Sequence, residues 1–269
     1  MSRPYESFGK RWLSPELIHQ YDDEGFIILS EWLDPNKVEE LRVEADEITG
    51  SVGPMIEGNP RLQLEMFEGA MRLRKVEPVI DISEPFRRAA SDACLVGPVT
   101  ELLGDKVVLF EDKLNFKYPQ GGTGFSLHQD YAYWTRFSPR LCTALIYLDQ
   151  ATHENGCIEL VPRRHKQGLF PCASQPVDQA AGQLSDLVIE DGALDLSSAV
   201  KATGNPGTVL LFNCLVPHCS KPNHTQKSRR AILYTYGPLS ENTPYSYTDF
   251  EERYQGWLRG HQAASQPTA

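Results

Sequence analysis

The chain has 269 residues, 41% of them hydrophobic, which is enough apolar material for a substantial core, and all-β barrels of this length commonly form one domain. Its formal net charge of -10, with no run of Lys or Arg longer than two, lacks the basic stripe that non-specific nucleic-acid binding needs. No apolar run approaches the ~18 residues of a membrane helix and no secretory-type leader opens the chain, so a soluble cytoplasmic protein is expected, monomeric or weakly homo-oligomeric, with no nucleic-acid or membrane partner.

The first part reads as helical. Ser14-Pro15-Glu16-Leu17 sets a capping residue before a proline at the first helical position, opening a short helix to about Tyr21 that Gly25 can end. Phe26 to Leu29 then reads as a short buried strand. Asp34-Pro35 repeats the cap-then-proline signal, and Val38, Leu41, Ala45 and Ile48 recur at helical spacing with Glu39, Glu40, Arg42 and Glu44 on the solvated side. Gly50 to Pro60 reads as loop, and Leu62 to Val76 has no decisive period; its Arg72, Arg74 and Lys75 are assigned to solvent. Glu84-Pro85-Phe86 starts another helix, and Val96 to Leu103 ends on Gly104, a natural C-terminal cap.

Past Gly104 the pattern changes to strands, at Lys106 to Glu111, Lys113 to Tyr118, Gly124 to Tyr131, Leu141 to Leu148, Cys157 to Val161, Thr208 to Phe212 and Arg229 to Gly237, parted by turns such as Pro119-Gln120-Gly121-Gly122. The expected organisation is one domain over 1–269: a helical part to about 105, a jelly-roll core over about 106–240 and a polar tail after about Gly260. Within the core, the acidic segment from Leu169 to Gly207 is the candidate lid. Six scattered cysteines without a C-x-x-C pair argue for free thiols.

The chemistry centres on Ser126-Leu127-His128-Gln129-Asp130-Tyr131. On a strand, His128 and Asp130 point to one face and can converge. A third candidate, His218, follows the apolar strand Thr208 to Phe212, and two His with one carboxylate make the facial ligand set of non-heme Fe(II). Helices followed by antiparallel strands, with these residues near strand ends, suggest a mainly β double-stranded β-helix of the jelly-roll or cupin kind. Such a centre favours a chelating anion; if that is 2-oxoglutarate, its far carboxylate needs a cation, and alternation lets only one of Arg229 and Arg230 face inward.

At this point the chain resembles the phytanoyl-CoA dioxygenase family of Fe(II)/2-oxoglutarate oxygenases. The segment Tyr21 to Leu29 resembles that family's opening, Lys117-Tyr118-Pro119 to His128-Gln129-Asp130 its K-x-P followed by H-Q-D, and Glu154-Asn155-Gly156-Cys157 through Pro162 and His165 its E-N-G-C…P-x-x-H stretch. His218 with Arg229 matches its distal His and co-substrate Arg. The resemblance runs from about Leu13 to Tyr236 and implies that His128, Asp130 and His218 hold iron while Arg229 holds 2-oxoglutarate and Arg230 faces outward. It further implies O2 as oxidant, with ascorbate supportive, release of succinate and CO2, and hydroxylation of an unactivated C–H bond of a small-molecule metabolite. Asp130 disfavours halogenation, because related halogenases carry Ala or Gly there.

Lys117, Asn115 and Thr143 alternate with apolar residues and could meet the near carboxylate of 2-oxoglutarate, while Tyr131, Tyr133 and Trp134 could wall the substrate pocket. Pro162-Arg163-Arg164-His165 departs from the family's Pro-Gly-Ser-His, so Arg163 could meet an anionic substrate or sit in a solvated turn; His165 reads as structural. Two alternatives stay open: the same cofactors driving desaturation, epimerisation or oxidative cyclisation, and a non-catalytic metal-binding jelly roll.

Overall fold

A computed structural model describes residues 11–51, 59–176, 185–241, 243 and 254–255. Helix α1 (Pro15–Glu24) begins as its sequence requires: the Ser14 side chain accepts from the Leu17 N–H. It ends at Gly25, whose φ of 92° turns the chain left-handed while its N–H donates to the Tyr21 carbonyl. A Cβ at Gly25 would meet the His165 ring at 2.5 Å, so this glycine also lets the helix end sit against the later loop.

After β1 (Phe26–Leu29) and α2 (Pro35–Ser51) come β2 (Leu62–Phe67) and β3 (Ala70–Val76), then α3 (Glu84–Ala90), α4 (Ala93–Leu103) and β4 (Val107–Lys117). The second half supplies β5 (Phe125–His128), β6 (Cys142–Tyr147), β7 (Ile158–Leu160), β8 (Cys172–Pro176) and β9 (Ser185–Ile189). It closes with β10 (Val200–Ala202), β11 (Val209–Asn213), β12 (His218–Ser220) and β13 (Arg229–Pro238). The larger sheet runs β1-β11-β6-β13-β4-β3-β2 and faces a smaller one ordered β10-β7-β12-β5, the two layers of a jelly roll. Among the described residues every strand pairing is antiparallel.

Two cores follow from strand alternation. On β13, Ile232, Tyr234 and Tyr236 point out beneath the helices, where Val38, Leu41, Phe86, Leu95 and Val99 cover them. The buried tyrosine hydroxyls donate to the α3 carbonyls of Phe86 and Ala90, both at 2.8 Å, each bond contributing ~1 kcal/mol net. Between them, Ala231 and Leu233 point inward with Leu145, Tyr147, Ile158, Leu160 and Phe212 into the space between the sheets. Arg230 faces outward as expected, paired with Asp149 at 2.8 Å.

Three expectations change. Leu62 to Val76 is a hairpin that extends the larger sheet, so the N-terminal part is not purely helical. Gln63 pairs with Lys75 but Leu64 pairs with Leu73, which leaves Arg74 as an extra residue in a bulge. Leu73 and Val76 accordingly both reach the outer core, while Arg74, 1% exposed, is buried on the opposite side over the Phe125 ring, not solvated. The third change concerns the candidate lid. Its end, β10, pairs with β7 and belongs to the smaller sheet; only β8 and β9 form a separate hairpin, whose link at 177–184 lies outside the described residues. Most of the expected Gly50 to Pro60 loop (52–58) and the polar tail likewise lie outside them. Among the described residues the cysteines are free and no helix is long and apolar enough to cross a membrane.

Candidate active site

His128 ends β5 and His218 opens β12, and the two are direct partners across the smaller sheet, their rings 4.2 Å apart. Asp130 is not on the strand. It starts a short helical turn (Asp130–Tyr133), held where the Tyr131 N–H donates to the Cys214 carbonyl at 3.0 Å, and from there its carboxylate comes back toward both rings. Gln129, between the two candidate ligands, is 1% exposed. Its amide donates to Gly168 and Leu215 carbonyls at 2.8 and 2.7 Å and accepts from the Phe170 N–H at 2.8 Å, pinning the turn to two neighbouring loops.

The imidazoles are oriented by their own backbones. Nδ1 of His128 lies 2.7 Å from the Ser126 carbonyl and Nδ1 of His218 lies 2.9 Å from the Val216 carbonyl. A carbonyl only accepts, so each Nδ1 carries the proton and each Nε2 keeps its lone pair. One donor atom from each of His128, Asp130 and His218 lies within 4.8 Å of the others, and Asp130 Oδ2 is buried without a hydrogen-bond partner. Two imidazole nitrogens and a carboxylate oxygen, convergent and otherwise unused, are a fitting donor set for Fe(II).

Protonation states agree with that use. Burial pushes the His218 imidazole down to about 4, reinforced by His128 beside it, and burial likewise lowers His128. Burial would raise Asp130, but Lys113, with Nζ 3.3 Å from Oδ1, and the two imidazoles outweigh it and hold the carboxyl down at about 2. Neutral pH therefore gives two neutral imidazoles and one carboxylate, the forms that bind a metal.

These groups open on a cavity of about 300 Å³ between the sheets, lined also by Arg229, Asn115, Phe125, Trp134 and Leu233. Arg229 begins β13, is 3% exposed and faces inward; its Nη2 donates to the Gly156 carbonyl, while Nε is buried with no partner. Gly156 permits that contact. Its φ is 78°, and a Cβ there would lie 2.1 Å from the Lys221 carbonyl oxygen.

The sequence profile of the family described as phytanoyl-CoA dioxygenase matches residues 21–231. The chain belongs to this family. It is an Fe(II)- and 2-oxoglutarate-dependent dioxygenase, which sets aside the non-catalytic alternative. Among its relatives, the 2-aminoethylphosphonate dioxygenase of an uncultured bacterium is 32% identical over 228 residues, covering 82% of this chain and 80% of that one. The methylphosphonate hydroxylase of Gimesia maris is 27% identical over 234 residues, covering 85% and 82%. In fold, the chain is similar to EctD from S. alaskensis, solved with 2-oxoglutarate and 5-hydroxyectoine, at a TM-score of 0.71 and 22% identity, covering 89% of this chain and 81% of that one.

The other expected site residues of this dioxygenase divide. Asn115 lines the cavity with its side-chain oxygen unpartnered. Lys117 is in register with Arg229 but stands behind the wall, fully buried, donating to Ser220 Oγ at 2.8 Å and to the Lys221 carbonyl. Burial, Arg229 and Arg74 push its ammonium down to about 6, so at neutral pH Arg229 is the charge at this end. Thr143 is a correction. Its hydroxyl is taken up by that of Thr235 at 2.9 Å, and it is not among the residues that line the cavity, although Glu111 on the same rung is.

Trp134 lines the cavity, edge-on to Phe110, and Tyr133 lines it while accepting from the Leu187 N–H of β9 at 2.7 Å. Tyr131 turns away and donates to the Phe137 carbonyl. Arg163 is also a correction: with φ of 68° it points back to α1, where Nε donates to Asp23 at 3.0 Å, far from the cavity lining. Glu77, Glu111, Lys113 and Asp186 line the cavity without having been singled out as site residues by sequence, and Lys75, assigned to solvent, lines it as well. A signal existed for two of them: Glu111, Lys113, Asn115 and Lys117 alternate on one strand, the spacing of a polar wall.

Proposed function

We propose that this dioxygenase hydroxylates an unactivated C–H bond of a small polar metabolite while 2-oxoglutarate is decarboxylated to succinate and CO2. His128, Asp130 and His218 are the metal-holding residues in this reading and Arg229 is the anchor of the co-substrate's far carboxylate. The observation that carries it is the pairing of two buried groups in one cavity: the Asp130 carboxylate, with Oδ2 unpartnered, converging with two free imidazole nitrogens, and the unpartnered Arg229 Nε. An unpartnered buried polar atom costs ~1–3 kcal/mol, a cost that a bound ligand relieves.

Bound Fe(II) supplies the site for O2 activation and for chelation of 2-oxoglutarate. The chain's own residues do the rest. Arg229 binds one end of the co-substrate by charge and a planar fork, and so fixes which way it lies along the cavity. Lys113 holds Asp130 Oδ1, the oxygen 3.8 Å from His128 Nε2, and leaves Oδ2 buried without a partner. Trp134 and Leu233 form apolar wall that keeps bulk water from the reacting carbon, and Tyr133 closes one side by its bond to β9.

Size supports a small substrate. The cavity of about 300 Å³ stands at the lower edge of the ~300–1,000 Å³ usual for ligand pockets and has to hold the co-substrate too, which leaves no room for a CoA thioester. Small organophosphonates, the substrates in the names of the two relatives, are the first compounds to test. Protein supplied with Fe(II), O2 and ascorbate should bind 2-oxoglutarate, develop the weak visible band of such complexes, and release succinate faster when the right metabolite is added. A product heavier by one oxygen supports hydroxylation, whereas unchanged mass or a loss of two hydrogens supports epimerisation or desaturation. Absence of 2-oxoglutarate binding refutes the reading.

A further inference from the structure

Resting on the oxygenase reading, we propose that the end of the cavity remote from Arg229 is an ammonium subsite formed by Glu77 and Glu111, so that the prime substrate is a small molecule bearing a protonated amine. Strand register sets the layout. Arg229 stands opposite Lys117, Leu233 opposite Lys113 and Thr235 opposite Glu111, so Glu111 lies six positions along β4 from the co-substrate anchor, ~20 Å at strand rise. Between them, Lys113 touches Asp130 Oδ1 at 3.3 Å. The wall therefore presents, in order, the anchor for 2-oxoglutarate, a candidate metal ligand and then carboxylates, and the prime substrate's place is on the far side of the metal ligands from Arg229.

That end holds more acceptors than its two ammoniums, Lys75 and Lys113, satisfy. Glu111 is 8% exposed, lines the cavity, and its Oε2 has no hydrogen-bond partner. Lys113 Nζ is 3.3 Å from that oxygen but is shared with Asp130 and makes no hydrogen bond to it. Glu77 lines the cavity just past β3, where the pairing of Val76 with Leu114 sets it beside Lys113, and its carboxylate is held by Lys75. Asp186, the remaining acid of this wall, is answered by Arg74 at 3.6 Å. Two neighbouring carboxylates repel an anion and reward a cation that brings its own N–H groups.

Titration behaviour agrees with the geometry. Burial, opposed by Lys113 and reinforced by Glu77, raises Glu111, whereas for Glu77 the ammoniums of Lys75 and Lys113 outweigh burial and lower it. Burial thus favours the protonated carboxyl at Glu111, and an incoming ammonium stabilises its carboxylate with release of the proton to solvent. The rest of the ligand then extends past Lys113 toward the metal ligands, which brings a carbon near the amine within reach of oxidation.

The test is anaerobic binding to protein loaded with Fe(II) and 2-oxoglutarate, with small amines each matched to the analogue lacking the amine: 2-aminoethylphosphonate with ethylphosphonate, and β-alanine with propionate. At least one amine should bind about tenfold or more tighter than its analogue. Glu111→Gln or Glu77→Gln, which keep the side-chain shape, should erase that preference while 2-oxoglutarate affinity stays at the wild-type value; Glu77→Gln also breaks the pair with Lys75, so its binding is read below its own unfolding transition. Equal or tighter binding of the amine-free analogues, no binding of either amine, or a preference that survives both substitutions overturns the subsite and leaves the oxygenase reading standing. Failure of the unsubstituted protein to bind 2-oxoglutarate overturns both.

Discussion

Removing the Arg229 side chain separates co-substrate binding from metal binding most cleanly. The guanidinium is 3% exposed, its Nη2 is spent on the Gly156 carbonyl, and its Nε is buried and free. A carboxylate docked there gains charge-assisted hydrogen bonds of at least ~1.5 kcal/mol each; two of them are ~3 kcal/mol, or roughly a hundredfold in dissociation constant. Arg229→Ala should therefore raise the 2-oxoglutarate dissociation constant and KM by about that factor, while Fe(II) affinity, set by residues on β5, β12 and the turn between, holds. Arg229→Lys keeps a charge but loses the planar fork and should fall between, at about a tenfold loss. Calorimetric titration of the metal-loaded protein reads the first quantity, and succinate formation against 2-oxoglutarate concentration reads the second. The orphaned Gly156 carbonyl will also lower the melting temperature, so both are measured below the variant's transition. A change smaller than about fivefold in a folded, metal-binding variant refutes the assignment of Arg229.

Asp130→Ala should weaken Fe(II) binding more than about 100-fold and erase the metal-dependent rise in melting temperature; a variant still stabilised by Fe(II) as wild type is would contradict the triad. Thr143→Val strands the Thr235 hydroxyl and should cost about 1–2 kcal/mol in denaturant unfolding with 2-oxoglutarate affinity unchanged; a shifted affinity would return Thr143 to the site. Gly156→Ala combines a φ of 78° with a Cβ 2.1 Å from a carbonyl oxygen and should lose about 2–4 kcal/mol, read by the same unfolding. Folded, the His218 imidazole titrates near 4 against 6.5 when unperturbed, so between those values the unfolded chain holds the extra proton. Metal-free protein should accordingly keep this contribution above pH 6.5 and lose roughly 3 kcal/mol of it as pH falls to 4; His218→Asn should flatten that part of the stability profile, and an unchanged slope counts against a neutral buried His218.

Much of this was legible because the signals were local. The Ser14 and Gly25 caps, the apolar strands after Gly104 and the alternation of Arg229 and Arg230 depend on neighbours in sequence, and they fold as they read. The metal-binding group was legible as residue types, but not its geometry. Asp130 reaches His128 from a turn fixed by Cys214, Gly168 and Leu215, contacts remote in sequence. Thr143 and Lys117 show the limit of alternation, which gives the face of a strand but not what the side chain meets: both face inward, yet one is taken up by Thr235 and the other stands behind the wall. Arg163 read as a site residue because its neighbours match a motif, but a left-handed backbone turns it back toward Asp23.

The bulge at Arg74 carries a consequence for how such a cavity changes over generations. Because one surplus residue sends both Arg74 and Lys75 to the interior, deleting that codon would straighten β3 and remove one inward cation, while Leu73 and Val76 keep the outer core and Lys75 keeps the inner face. The pocket would lose the cation that answers Asp186, without a substitution at any metal-binding position. One short insertion or deletion in an edge hairpin is thus a route by which this scaffold could acquire a different substrate and keep its oxidising machinery intact.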